Sequence, residues 1–82
     1  MRDKKLGQIL CKRIKYLMKE NNLTIEQLAY QSGISKGGLS EITREMKEPT
    51  NYTIIKICVG LNISMSEFFD FDELSGYIKE LY

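Results

Sequence analysis

The stretch over residues 23–42, LTIEQLAYQSGISKGGLSEI, restricts the folds open to this chain more than any other. It holds two short helical patterns joined at Ser32-Gly33-Ile34, with Leu28, Ala29, Ile34, Leu39 and Ile42 at the inward positions. Thr24 and Ser35 each stand directly before a helical run, where a hydroxyl can accept a hydrogen bond from an N–H that the helix leaves orphaned. Gly33 falls where the first helix has to stop, and glycine takes up the left-handed backbone of such a stop without steric cost. Two helices joined by so tight a turn form a helix-turn-helix, whose second helix can enter the major groove of a duplex.

The flanking residues supply the partners such a unit needs for a core. Residues 4–21 form an amphipathic pattern in which Leu6, Ile9, Leu10, Ile14, Leu17 and Met18 recur at helical spacing, with Lys12, Lys15 and Lys19 on other faces. Asn21-Asn22 can close that helix, because asparagine accepts the left-handed conformation. Helices at about 25–31 and 36–43 follow. The polar connection REMKEPTN, residues 44–51, contains the only proline, Pro49, which turns Glu48 away from helix. Thr50 is placed to cap a helix over 52–61, whose core side is read as Ile54, Ile55, Ile57, Cys58 and Leu61, with Asn62 closing it. Ser64 and Glu67 match a capping box at the start of a short helix ending near Phe69. Phe68, Phe69 and Phe71 are assigned to the core.

In the tail, Leu74, Tyr77, Ile78 and Leu81 lie at i, i+3, i+4 and i+7 and can make one more amphipathic helix, weakened by ~1 kcal/mol at Gly76. The sequence shows no alternating strand pattern and no internal repeat. The expected architecture is all-α: a unit over residues 1–71 and a C-terminal amphipathic extension over 72–82.

Composition excludes several classes of function. The 82 residues include no histidine, the commonest general base and metal ligand. Cys11 and Cys58 lie far apart in apolar helical patterns, without the spacing of a zinc site, and read as buried free thiols. Neither a phosphate-binding loop nor a nucleophile–base pair is evident, so neither catalysis nor a cofactor is expected. No apolar run approaches the ~20 residues that span a bilayer, and a cytoplasmic location is the expectation. The net charge of +1 is unevenly distributed. Residues 1–22 carry seven basic and two acidic side chains, and residues 23–82 carry five basic and nine acidic ones. That polarity fits either an anion-facing side or a solvated basic helix face.

With the order of elements established, the chain resembles the Cro/C1-type helix-turn-helix family, also called the XRE type, over roughly residues 14–69. The resemblance is carried by LTIEQLA at 23–29, SGIS at 32–35, LSEI at 39–42, Pro49-Thr50, TIIKI at 53–57 and LNISMSEFF at 61–69. The last is similar to the family's L-G-V-S-x-x-E-L-L ending. It implies a five-helix, lambda-repressor-like DNA-binding domain, here with an extra C-terminal helix, that binds duplex DNA sequence-specifically, usually as a dimer on a palindromic operator. Three positions depart from the family's pattern. Ile25 stands where a phosphate-anchoring glutamine is usual, and Met18 and Thr43 stand where arginine and glutamate usually pair. Loss of both charges together strands neither, and exchange of such a pair for packing can be neutral.

By that resemblance, outward positions of the third helix read bases: Lys36, Gly37, Ser40 and Glu41. Lys36 can donate to guanine O6 and N7, and Glu41 can accept from a cytosine amine. Phosphate contacts fall to Thr24, Gln27, Ser35, Gly38, Arg44, Lys47, Thr50, Asn51 and Tyr52, which would set register and supply salt-dependent affinity. The stripe of Leu74, Tyr77, Ile78 and Leu81 can fold back on its own chain or pair with its copy across a two-fold axis as a dimer interface. The implied function is a transcriptional regulator, a repressor of bacterial or phage or prophage type, acting on double-stranded operator DNA as a homodimer and without a membrane. A protein-interaction module or an antitoxin that keeps the fold, with the tail holding a protein partner, stands as the alternative.

Overall fold

A computed structural model describes residues 4–81. Six helices follow one another: α1 (Lys4–Glu20), α2 (Ile25–Ser32), α3 (Lys36–Thr43), α4 (Asn51–Leu61), α5 (Met65–Phe69) and α6 (Asp72–Leu81), with no strand among the described residues. Arg2 and Asp3, counted in the N-terminal charge, lie outside the described residues.

Local chemistry accounts for the helix ends. Thr24, Ser35, Thr50 and Ser64 all have extended backbone, and each hydroxyl accepts from an N–H of the following first turn. The complete capping box lies at Thr24, where the Gln27 amide oxygen accepts from the Thr24 N–H at 2.9 Å and the Thr24 hydroxyl accepts from the Gln27 N–H at 3.1 Å. At Ser64, half of the expected box is formed: its hydroxyl accepts from the Glu67 N–H at 3.0 Å. Gly33, Asn22 and Asn62 adopt the left-handed conformation, with φ of 68°, 53° and 57°.

The main core joins α1 through Cys11, Ile14 and Leu17, α2 through Leu28 and Ala29, α3 through Leu39 and Ile42, α4 through Ile54, Ile57 and Cys58, and α5 through Phe68. Met18, Leu23, Ile25, Ile34, Leu61 and Phe69 pack around it, half-buried. α2 and α4 approach each other closely at Ser32 and Gly60. A Cβ on Gly60 would overlap the Ser32 hydroxyl and come within 2.9 Å of the Ser32 backbone nitrogen. Ile55 departs from its expected place and is exposed. Ile54, Ile57, Cys58 and Leu61 form the i, i+3, i+4, i+7 stripe that faces inward, and Ile55 lies about 100° around the helix from it, beside the exposed Tyr52 and Val59.

A second, smaller core holds α6. Leu74 and Tyr77 are buried against Ile9, with Leu6, Phe69 and Phe71 packed around them. Lys5 reaches α6 twice, pairing with Glu80 at 3.4 Å and lying over the Tyr77 ring at 5.5 Å. Of the two alternatives for the stripe, folding back on its own chain holds for its first half. Leu74 and Tyr77 are spent within the chain, and of the four only Ile78 and Leu81 are exposed. The register of α6 on α1 decides this, since an amphipathic helix buries whichever part of its stripe meets an apolar neighbour.

Candidate nucleic-acid interface

α3 is anchored from behind and open in front. Leu39, Ile42 and Thr43 face the core, and Thr43 satisfies its hydroxyl by donating to the Ser40 carbonyl at 3.0 Å. The opposite face carries Lys36, Gly37, Ser40 and Glu41, with Lys36, Gly37 and Glu41 exposed and Ser40 half-buried. The structure thus brings the four expected base-facing residues to one outward strip. Gly37 opens onto empty space, whereas a Cβ on Gly38 would press against the Ser35 hydroxyl at 2.9 Å. The Ser35 hydroxyl accepts from the Gly38 N–H at 3.0 Å, so Ser35 and Gly38 fix the start of the helix.

Thr24 and Gln27 are exposed at the start of α2, and their capping box commits the threonine hydroxyl and the glutamine carbonyl oxygen. The Gln27 amide NH2 is the remaining donor there. Ile25 sits half-buried against the main core, which gives its departure from the family pattern a packing role. Met18 likewise packs on the core where a charge is usual.

The connection after α3 and the first turn of α4 bear Arg44, Lys47, Thr50, Asn51 and Tyr52, all exposed. It is held to α1 at several points. Glu45, at a left-handed φ of 59°, accepts from the Lys15 ammonium at 2.9 Å. The Cys11 thiol donates to the Lys47 carbonyl at 3.4 Å. Glu48 lies against Gly7, and Pro49 is buried. The hydrogen bond from Lys15 holds the Glu45 carboxyl below its ordinary pKa. Burial pushes both thiols, Cys11 and Cys58, above theirs. Thr50 caps α4, and the Lys56 ammonium lies 5.2 Å above the Tyr52 ring.

Three basic residues of α1 are engaged inside the fold: Lys5 with α6, Lys15 with Glu45, and Arg13. The Arg13 guanidinium donates to the Phe68 carbonyl at 2.8 Å and the Glu67 carbonyl at 2.9 Å, and lies 4.6 Å from the Phe71 ring centre. Those carbonyls end α5, where the helix dipole is negative. Part of the N-terminal positive charge is therefore engaged with the chain's own groups. Sequence spacing carried no sign of this, nor of the Lys36–Glu26 contact at 3.5 Å that links α3 to α2.

Comparison with known proteins agrees with this geometry. The family model described as helix-turn-helix matches residues 14–68. The HTH-type transcriptional regulator SutR of Escherichia coli (strain K12) is 35% identical over 63 residues, covering 77% of this chain and 35% of its own length. The chain thus spans about a third of that relative. The wild-type restriction-modification controller protein C.Esp1396I has a TM-score of 0.78 at 29% identity, covering 92% of this chain and 95% of its own. An arginine-to-alanine variant of the same controller gives 0.74 at 31% identity, covering 94% and 96%. Among the described residues no helix is long and apolar enough to cross a membrane, and no group of potential metal ligands occurs. The chain belongs to the helix-turn-helix family of Cro/C1 (XRE) type, a family of DNA-binding regulator domains.

Proposed function

We propose that this protein is a transcriptional repressor that binds a palindromic operator as a homodimer, with α3 of each copy in the major groove. Lys36, Ser40 and Glu41 read base edges, and Gly37 lets the backbone approach closely. Thr24, Gln27, Ser35, Gly38, Arg44, Lys47, Thr50, Asn51 and Tyr52 contact phosphates on either side. The carrying observation is the outward strip on α3, which lies opposite a buried anchor and is exposed at Lys36, Gly37 and Glu41. Residues 1–71 act as the DNA-binding unit and 72–82 as its extension, with Ile78 and Leu81 as the part of α6 that meets the second copy.

Fluorescence anisotropy with duplexes selected from genomic fragments tests the proposal. Affinity should fall steeply with salt, and Lys36→Ala or Glu41→Ala should each alter sequence preference by about 1–3 kcal/mol at the affected base pair. Unchanged preference in both variants refutes the assignment of readers. Sedimentation equilibrium of Leu81→Glu tests the dimer contact, and a mass identical to that of a dimeric wild type refutes the role of α6.

A further inference from the structure

Lys36 has an acidic neighbour on the other helix of the motif. Glu26 lies in the first turn of α2, and its carboxylate is 3.5 Å from the Lys36 ammonium. Both side chains are largely exposed, at 74% and 64%. An exposed pair of this kind adds little to folding stability, so its consequence falls on what Lys36 does next. Among the described residues Glu26 is the acid that pairs with Lys36, and it does so at the open end of the recognition helix.

We infer that Glu26 is a specificity-determining residue that restrains Lys36 from indiscriminate phosphate contact; this rests on the reading of α3 as the duplex-reading helix. An unpaired ammonium on the strip would bind any phosphate it met. With Glu26 beside it, each such contact exchanges one anionic partner for another and gains little. A guanine edge presents two acceptors in fixed positions, O6 and N7, and can be engaged while the carboxylate stays close. Glu26 thereby weakens non-cognate complexes more than the cognate one and widens the ratio between them.

Anisotropy titrations with wild type, Glu26→Gln, Lys36→Met and the double variant test this. The probes are the best-bound duplex from a randomised-sequence selection and a scrambled duplex of equal length and composition. Glu26→Gln should tighten binding to the scrambled duplex by about three- to tenfold, the scale of one ammonium–phosphate contact in water once Lys36 is released. Binding to the selected duplex should change less than twofold, so the specificity ratio falls. In the Lys36→Met background the same substitution should leave the ratio unchanged. A purely structural effect of Glu26 would shift both affinities together. An unchanged ratio in Glu26→Gln, or an equal fall in both backgrounds, overturns the inference while the DNA reading stands. A wild-type protein that binds no duplex at low salt overturns both.

Discussion

Replacing Arg13 by alanine removes a contact that fastens the end of α5 and Phe71 to α1. Two hydrogen bonds are lost, at 2.8 and 2.9 Å, together with the stacking of the guanidinium on Phe71. A hydrogen bond to a charged group contributes about 1.5–3 kcal/mol, and an exposed cation–π contact about 0.5–1 kcal/mol. The bond to Glu67 is exposed and the bond to Phe68 only partly buried, so water recovers much of this after the substitution. A net loss of about 2–3 kcal/mol follows, a large share of the roughly 4–12 kcal/mol available to a domain of this size. The melting temperature should fall by roughly 10–20 °C, and the urea midpoint should fall with little change in slope. Arg13→Lys keeps the charge without the fork that reaches two carbonyls and should recover less than half. Circular dichroism melts and urea titrations measure both. A loss below about 0.5 kcal/mol for alanine, or full recovery by lysine, refutes the reasoning. Below its melting point Arg13→Ala should also keep the wild-type salt dependence of DNA binding. A slope smaller by about one charge would place Arg13 on phosphate instead.

Three further outcomes follow from particular contacts. Gly60→Ala should cost about 1–3 kcal/mol, because its Cβ meets the α2 backbone, whereas Gly37→Ala opens onto empty space and should stabilise α3 by up to ~1 kcal/mol; thermal melts compare the two. The folded-state pKa of Glu45 is lowered, so its contribution to stability is present above the ordinary value of 4.5 and is lost as pH falls through the folded value. Lys15→Met should therefore flatten the decline in stability below about pH 4.5, and an unaltered pH profile would count against the Lys15–Glu45 clip. Cys11 and Cys58, buried and with raised pKa, should react with a thiol reagent at pH 8 only after unfolding; rapid labelling of the native protein would contradict their burial.

The local parts of this protein were legible in its sequence, because they depend on residues within a turn or two of one another. Caps at Thr24, Ser35, Thr50 and Ser64 and stops at Gly33, Asn22 and Asn62 were readable from residue type and position. The buried anchor of α3 at Leu39 and Ile42 follows from helical periodicity, and the outward strip of Lys36, Gly37, Ser40 and Glu41 is its complement. Tertiary structure decided which charges remain available and which apolar residues remain exposed. Arg13 meets carbonyls more than fifty residues away, Lys5 meets Glu80, Lys15 meets Glu45, and Lys36 meets Glu26 across the turn. Ile55 turned outward while Leu74 and Tyr77 turned in, since neighbouring helices and their register settle which edge of an apolar stripe is covered. A helical period specifies one face of one helix; the partner of that face is fixed only when distant segments pack.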